Sequence, residues 1–309
     1  MRDPHGTDTL LFTTMQVIFR WTCSRARSEA EVRLARFKRV LRSAQRTCRY
    51  RPVLERAGLG TDEALAAIDS VEDVLERLPA IDLDEFRGSR AAFESPHSLR
   101  TGLQPFRSPL EHTPRTAILM QGFEQTAKVR IFADCGKRVT RFGATALAAP
   151  VSKLRELAAA IENGRGEIRQ LRHFVVSFTG TDHGEIREED RERFWRVFQV
   201  PLFEQRLGFD GRVIAYECEA HHGLHIETER AAFEETAGSE LLLTSLTDLR
   251  YPTLRVGTRM TACIQHHCCD CGNASARVVA GRLPSLAKRL SPYAFRFRCP
   301  KAHRTYARK

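Results

Sequence analysis

Cysteine and histidine are concentrated in one stretch of this 309-residue chain, from Cys218 to Cys271. Four of the nine cysteines fall within the last nine residues of that stretch, which ends in a Cys-x-Cys pair. Clustered cysteines in a chain without an export signal indicate metal binding rather than disulfides. Zinc takes four thiolate or imidazole ligands, and structural sites usually combine two short chelating pairs. The stretch therefore predicts a structural zinc site that fixes the surrounding backbone.

The candidate zinc ligands form two groups that are far apart in the sequence. Cys269 and Cys271 supply one pair, and Cys218 with a nearby histidine supplies the other. His225 alternates with apolar neighbours along a strand, so it faces either the metal or solvent. The spacing of Cys-x-Cys is tighter than the usual one, and buried structural cysteines beside exposed histidines are the alternative. The predicted ligands are Cys218, His222, His225, Cys269 and Cys271, with His221, Cys263, His266, His267 and Cys268 as surplus candidates.

The N-terminal region indicates whether the protein is exported or inserted into a membrane. Its longest apolar run, residues 10–19, contains two threonines and a glutamine and is too short to span a bilayer. No small-residue cleavage pattern follows this run. We therefore expect no membrane span, no export signal and a cytoplasmic protein.

Charge is distributed unevenly along the chain, whose formal net charge is +11. Residues 1–60 carry a net +8 and residues 277–309 a net +10, which leaves an acidic body between basic ends. A nucleic-acid groove would place basic residues among aromatic ones on the folded core. Solvated basic ends are therefore the favoured interpretation, and a nucleic-acid or other anionic partner is the alternative.

Hydrophobic periodicity predicts a helical first part, a layered middle part and an antiparallel end. Residues 28–57 have helical spacing interrupted by Pro52, and Ser70 is a good N-cap for a helix that stops before Pro79. Helix 152–161, strand 173–178, helix 186–198 and a strand from Leu202 predict a parallel sheet layered by helices. Short strands without helices follow Gly211. We expect an extension at 1–26, an α/β core at 27–276 and a basic tail at 277–309.

Three stretches, taken in order, resemble one enzyme family. They cover residues 50–87, residues 174–226 and residues 239–272. Their most specific motifs are Glu-Cys-Glu at 217–219, Gly-Leu-His at 223–225 and Cys-x-Cys-Gly at 269–272. Together they look like the phenylacetate–CoA ligase family of adenylate-forming enzymes. The resemblance implies a protein that activates a carboxylic acid with ATP and magnesium as an acyl-adenylate, then transfers the acyl group to a thiol such as coenzyme A.

The resemblance also implies which residues would contact the nucleotide and its metal. No catalytic residue is assigned by it. The implied contacts are Gly180, Thr181, Asp182, Asp210 and Arg255.

Several elements of the family apparatus are altered in this chain. Residues 93–103, where the Gly/Ser/Thr-rich phosphate loop belongs, hold one glycine. The tyrosine-glycine-x-threonine-glutamate motif falls on residues 206–210, where only Asp210 preserves a carboxylate. The ribose-binding aspartate falls at or near Met260, whose thioether cannot accept hydrogen bonds as a carboxylate does. The C-terminal lid of the relatives, which supplies an active-site lysine, has no counterpart in the residues after Cys271.

These observations predict a truncated adenylate-forming-enzyme core without its lid. Its function is expected to be that of a divergent AMP-forming acid–thiol ligase, either active or with the activity lost. The alternative is a non-catalytic, zinc-stapled scaffold that binds a partner or an anionic surface through its basic ends.

Overall fold

The structure is a computed structural model that describes residues 29–96, 102–165 and 171–280. The predicted extension and residues 281–309 of the predicted tail lie outside the described residues. Eight α-helices and a 3-10 helix are described: α1 (29–44), α2 (Arg51–Arg56), α3 (Asp62–Ala66), α4 (Val71–Glu76), α5 (Leu83–Gly88), η1 (Arg90–Phe93), α6 (Lys137–Phe142), α7 (Val151–Glu162) and α8 (Glu188–Phe198). The strands are β1 (Thr116–Ile118), β2 (Val129–Ile131), β3 (Ala146–Pro150), β4 (Val175–Thr179), β5 (Leu202–Leu207), β6 (Val213–Glu217), β7 (Leu224–Ile226), β8 (Ala231–Glu235), β9 (Glu240–Ser245), β10 (Val256–Gln265) and β11 (Arg277–Ala280).

These strands form one sheet in the order β2-β1-β3-β4-β5-β6-β7-β11-β10-β9-β8. The five strands from β2 to β5 run parallel. Every pairing from β5 to β8 is antiparallel. The predicted fold class, a layered parallel sheet joined to an antiparallel β region, is therefore confirmed.

The helical first part packs against the antiparallel end of the sheet. Pro52 lies in the first turn of α2, where proline is tolerated, and the chain turns between α1 and α2 as predicted. The Ser70 hydroxyl accepts a hydrogen bond from the Asp73 N–H at 3.2 Å, which confirms the predicted N-cap of α4. Phe37, Phe86 and Val256 belong to one buried apolar cluster that joins these helices to β10. The helices are therefore part of the folded core.

Two apolar layers cover the parallel strands. The apolar sides of α7 and α8 pack on one face, and the segment that contains Phe106 and Phe123 covers the other. The ring centroids of Phe123 and Phe178 lie 5.0 Å apart in a stacked arrangement. Neither α6 nor β3 is predicted by the sequence. The alanines of β3 have weak β propensity, and only their complete burial between two strands shows why they are extended.

The position of β11 is the least expected feature of the sheet. Its four residues begin the segment predicted as a basic tail, yet they pair with both β7 and β10. Gly223 permits the close approach, because a Cβ at this position would lie 2.6 Å from the carbonyl oxygen of Val278. The pairing places Arg277 opposite His225. No helix in the described ranges is long and apolar enough to cross a bilayer.

Candidate metal centre

Four sulfur- and nitrogen-bearing side chains converge beside β7 and β11. They are Cys218, His225, Cys269 and Cys271, and one ligand atom of each lies within 4.8 Å of the ligand atoms of the other three. Cys218 follows β6, His225 lies in β7, and the two remaining cysteines lie in the loop between β10 and β11. His225 is fully buried, and Cys218 and Cys269 are also buried. The cluster thus joins two regions that are distant in sequence, residues 218–225 and residues 269–271.

Two distances within the cluster match those of a tetrahedral zinc site, and all its ligand atoms lie within 4.8 Å of one another. The Sγ atoms of Cys218 and Cys269 are 3.7 Å apart, and the Cys271 Sγ lies 3.4 Å from His225 Nε2. With Zn–S bonds of about 2.3 Å and Zn–N bonds of about 2.0 Å, tetrahedral geometry requires S···S and S···N separations of about 3.8 and about 3.5 Å. A disulfide would need sulfurs about 2.05 Å apart. The donor set therefore fits a zinc ion by both chemistry and spacing.

The His225 ring is held in the orientation that a metal ligand requires. Its Nδ1 lies 3.0 Å from the Ser275 hydroxyl, which leaves Nε2 for the cluster. The Tyr216 ring stacks on it with the centroids 5.4 Å apart. Burial, assisted by the positive charge of Arg277, lowers the pKa of His225. The imidazole is therefore neutral at pH 7, which is the form that binds metal.

The cysteine thiols differ in acidity. Burial raises the pKa of Cys218 to about 12. Burial also acts to raise the pKa of Cys269, but hydrogen bonds from the Cys271 backbone and from the neighbouring thiols outweigh it, and this pKa is lowered. Zinc binds thiolates, so a zinc ion entering the cluster would release the proton of Cys218.

Arg277 fixes the two ligand-bearing loops to each other. It is only 2% exposed, and its Nη1 donates to the His222 carbonyl oxygen at 2.7 Å. Its Nη2 lies 2.9 Å from His267 Nε2. One buried guanidinium thus connects the segment after β6 with the segment after β10. The sequence offers no signal for this role, since Arg277 reads there as the first residue of a basic tail.

The structure brings four of the five predicted ligands together and leaves His222 outside. The His222 side chain is 55% exposed and its Nδ1 lies 3.2 Å from Asp270. His221 Nδ1 lies 2.9 Å from Glu217 instead of facing the cluster. Among the surplus candidates, Cys263, His266 and Cys268 are exposed, and His267 contacts Arg277. His225 is therefore the histidine whose position fits a ligand.

Replacing the two histidines separately tests this assignment. We expect His225→Ala to lower zinc affinity by more than about 100-fold, because loss of an outer-shell partner alone costs about 10–100-fold. His222→Ala should keep one zinc per chain. Zinc content is measured by elemental analysis after gel filtration. Equal zinc loss in both variants, or loss only in His222→Ala, would show that the assignment is wrong.

A buried ionic network adjoins the cluster at the end of β6. Arg191 of α8 contacts Glu204 at 3.1 Å and Glu217 at 3.2 Å. Burial raises the pKa of Glu204. Burial acts in the same direction on Glu217, but Arg191 and His221 outweigh it and lower that pKa. Glu217 directly precedes Cys218, so the network fixes the strand end from which this thiol projects.

The predicted nucleotide contacts Gly180, Thr181 and Asp182 follow β4, at the carboxyl edge of the parallel strands. Ligands of open α/β sheets bind at this edge. Arg87 donates to the Thr181 carbonyl oxygen and lies 3.4 Å from Asp182, and Arg90 lies 3.8 Å from the same carboxylate. Gly180 has a φ of 137° and approaches the backbone of β5 closely. Two guanidinium groups thus lie close to Asp182, in the turn that contains the predicted nucleotide contacts.

Asp210, which follows β5, lies at the same edge with a second carboxyl group. Its side chain is 1% exposed and accepts a hydrogen bond from the Thr247 hydroxyl at 2.7 Å. Asp248 accepts backbone N–H bonds from Arg250 and Tyr251, whereas its Oδ2 has no partner among the described residues. Burial, together with the charge of Asp210, raises the pKa of Asp248 to about 7. The sequence did not single out Asp248.

Arg255, the remaining predicted nucleotide contact, has a different environment. Its Nε lies 3.1 Å from Glu234 of β8, and its guanidinium donates to the Leu78 carbonyl oxygen. These contacts connect the antiparallel strands to the helical first part. Met260, at or near the position of the family's ribose-binding aspartate, is partly buried against an apolar cluster.

No protein-family model and no curated protein matches the sequence. Among solved structures, the chain resembles 2-hydroxyisobutyryl-CoA ligase in an open conformation with 2-HIB-AMP and CoA. The TM-score is 0.58 at 12% identity, over 80% of this chain and 67% of that one. For the same enzyme in the postadenylation state with R3-HIB-AMP, the TM-score is 0.59 at 12% identity, over 81% of this chain and 66% of that one. For that enzyme in the thioesterification state, the TM-score is 0.58 at 13% identity, over 83% of this chain and 68% of that one. The chain therefore shares the fold of 2-hydroxyisobutyryl-CoA ligase and spans about two thirds of that enzyme's length.

Proposed function

We propose that this chain is the zinc-stabilised core of a divergent AMP-forming acid–thiol ligase of the phenylacetate–CoA ligase family. The observation that carries the proposal is the carboxyl edge of β4 and β5. Asp182, Asp210 and Asp248 lie there beside Arg87 and Arg90, on a fold shared with acid–CoA ligases. A cytoplasmic location belongs to the same proposal, because clustered thiols persist in a reducing compartment.

The proposed reaction has two steps. A carboxylate oxygen of the substrate acid attacks the α-phosphorus of ATP, an O–P bond forms and pyrophosphate leaves. The sulfur of a thiol such as coenzyme A then attacks the acyl carbon, the C–O bond between the acyl group and the phosphate breaks, AMP leaves, and the thiol proton passes to solvent. Asp210 offers the oxygen ligands that magnesium prefers, and Arg87 and Arg90 offer donors for phosphate. This chain's residues would thus position the nucleotide rather than exchange protons with the acid.

The zinc centre is structural in this account. A catalytic zinc keeps one coordination position for water or substrate. Here four protein side chains are present, so the tetrahedron is complete. The metal would hold β7 and the loop between β10 and β11 in place, and none of its four ligands is among the residues assigned to the carboxyl edge.

ATP–pyrophosphate exchange tests the ligase proposal. We expect a panel of carboxylic acids to include at least one that supports exchange by the zinc-loaded protein. Asp210→Asn should reduce this exchange by at least about tenfold, since an ionised ligand of the nucleotide-bound metal is lost. The control Asp62→Asn alters a carboxylate that is 77% exposed and should retain the wild-type rate. No exchange with any acid, together with no thermal shift on adding ATP, would refute the proposal.

A specific observation favours a second candidate, a non-catalytic scaffold. The side chains of Asp182, Asp210 and Arg255 already have partners within the chain. Such a protein would be folded and zinc-loaded but would have no affinity for ATP. It would bind a partner or an anionic surface through its basic ends, so removing residues 1–26 and 285–309 would abolish binding. A large loss of thermal stability in the trimmed protein would contradict this candidate.

A further inference from the structure

Six positively charged side chains lie at one edge of the parallel half of the sheet. β2 is the last strand on that side of the described sheet, and α6 follows it in the chain. Arg115 and Lys128 are neighbours across β1 and β2, because the Thr116 N–H donates to the Lys128 carbonyl oxygen at 2.8 Å. All six side chains are exposed. The edge surface, as we name it, consists of Arg115, Lys128, Arg130, Lys137, Arg138 and Arg141.

Phe142, the last residue of α6, connects the parts of the edge surface. The Arg115 Nη1 donates to the Phe142 carbonyl oxygen at 3.4 Å. The central guanidinium carbon of Arg130 lies 5.4 Å from the centroid of the Phe142 ring, and the Phe132 ring lies on the same cluster with its centroid 5.7 Å away. Both rings are half-buried. The surface thus combines cations with aromatic rings on the folded core, as sites for single-stranded nucleic acids do.

The positive charge of the edge surface is not neutralised by the described residues. None of its six cations forms a salt bridge with them, although two acidic residues lie within the same stretch, residues 115–141. The arginines of the neighbouring helices differ in this respect. Arg155 of α7 pairs with Asp190 at 2.6 Å, and Arg193 of α8 pairs with Glu162 at 2.6 Å. The edge surface is therefore a local positive field on an acidic body, and such a field attracts polyanions.

The composition of the edge surface favours a nucleic acid over a membrane. Four of its six residues are arginines, whose guanidinium groups pair with phosphate and stack on planar rings. A surface that inserts into a bilayer carries large exposed apolar side chains. Among the described residues such side chains are Val32 and Leu103, and neither belongs to the edge surface.

We propose that the edge surface binds a single-stranded nucleic acid. Its arginines and lysines would pair with phosphate oxygens, and the Arg130 guanidinium beside the Phe142 ring would offer a plane on which a base stacks. Contacts to phosphates carry no sequence information, so we expect binding without strong sequence preference. The inference goes beyond the ligase proposal and does not rest on it, because it uses none of the predicted nucleotide contacts and none of the zinc ligands.

Fluorescence anisotropy of a labelled oligothymidylate of about 20 nucleotides, titrated with the zinc-loaded, full-length protein, tests the inference. The triple variant Lys137→Gln, Arg138→Gln and Arg141→Gln should bind at least about tenfold more weakly at about 0.1 M salt, because three phosphate contacts are lost. The slope of log affinity against log salt should also fall by about 2, since each contact contributes about 0.7 on a single strand. Tighter binding of a duplex of the same length, or of phosphatidylserine vesicles, would overturn the inference.

A second triple variant is the matched control. Arg39→Gln, Arg46→Gln and Arg56→Gln remove the same charge from exposed positions of the helical first part. This variant should bind the oligothymidylate within about twofold of the wild type, because its altered residues lie outside the edge surface. Equal weakening by the two variants would show that binding follows net charge alone, which contradicts the inference.

Lysine acetylation, measured by mass spectrometry, locates the bound strand on the wild-type protein. The oligothymidylate should slow acetylation of Lys128 and Lys137. It should leave the rate unchanged at Lys153 of α7, whose ammonium group is 3.1 Å from Glu156 and whose side chain is 49% exposed. Unchanged rates at Lys128 and Lys137 in the presence of saturating oligothymidylate would place the strand elsewhere and overturn the inference.

Discussion

Replacing Cys269 with serine should remove zinc from the protein and lower its melting temperature by about 10–20 °C. A structural zinc contributes on the order of 10 kcal/mol to folding at pH 7. Serine offers no thiolate, so we expect more than about 5 kcal/mol of unfolding free energy to be lost. In a chain of this size, 1 kcal/mol corresponds to about 2–4 °C. Calorimetry and elemental analysis of the same sample measure both quantities.

Cys268→Ser is the matched control for this substitution. Cys268 is adjacent in sequence and exposed, and its described contact is a long one from its sulfur to the Cys269 carbonyl oxygen, at 3.5 Å. The control should therefore keep one zinc per chain and shift the melting temperature by less than about 2 °C, as surface substitutions do. Equal effects of the two substitutions would show that the four-residue cluster is not the metal site.

Asp248→Asn should stabilise the protein above pH 7 by about 2–4 kcal/mol. The pKa of Asp248 is raised to about 7 by burial and by Asp210, so the folded state keeps a proton that the unfolded state releases near pH 4. The native protein therefore binds more protons between about pH 4 and pH 7, and its stability falls as the pH rises through this window. Asparagine cannot ionise, so the variant lacks this loss.

Urea unfolding at pH 5 and pH 8, in a buffer without magnesium, measures the effect. The Asp248→Asn variant should have similar unfolding free energies at the two pH values, whereas the wild type should be less stable at pH 8. Asp62→Asn, at an exposed position, should follow the wild type. A variant that is less stable than the wild type at pH 8 would show that Asp248 is charged and favourably paired in the folded protein.

Local patterns in the sequence predict much of the fold. The strand–helix–strand order of residues 173–207 predicts the parallel sheet, and Pro52 and Ser70 locate helix boundaries because both act on adjacent backbone. The sequence does not predict segments whose conformation depends on adjacent strands in the sheet. The alanine-rich β3 is extended because it lies between β1 and β4, and β11 exists because β7 and β10 both pair with it.

The same distinction applies to the candidate sites, where some residues can be recognised from their spacing and others only from their contacts in the fold. Cys269 and Cys271 are recognisable from spacing, but the choice of His225 over His222 depends on Ser275 and Arg277, which orient the ring and hold the His222 backbone. The pair of Asp210 and Asp248 is not evident from sequence because the two belong to different turns. Arg255 illustrates the opposite case, since its side chain contacts Glu234 in the structure while the family resemblance assigns it to the nucleotide.

A zinc ion in the four-residue cluster would help the chain to keep the fold that it shares with 2-hydroxyisobutyryl-CoA ligase. The four ligands join the end of β6, β7 and the loop that leads to β11, so one ion would connect strands that are up to 53 residues apart in sequence. Because zinc would bind only when these segments are brought together, its binding free energy would stabilise the folded state and fix the register of the short strands. The carboxyl edge can then change in sequence while the sheet remains intact.

X-ray absorption at the zinc edge of the purified protein tests the central claim most directly. The structure predicts one zinc per chain with three sulfur neighbours at about 2.3 Å and one nitrogen neighbour at about 2.0–2.1 Å. The His225→Ala variant should lose the nitrogen contribution or the metal. A zinc shell made of oxygen and nitrogen without sulfur, or a folded protein that contains no zinc after purification without chelators, would contradict the claim.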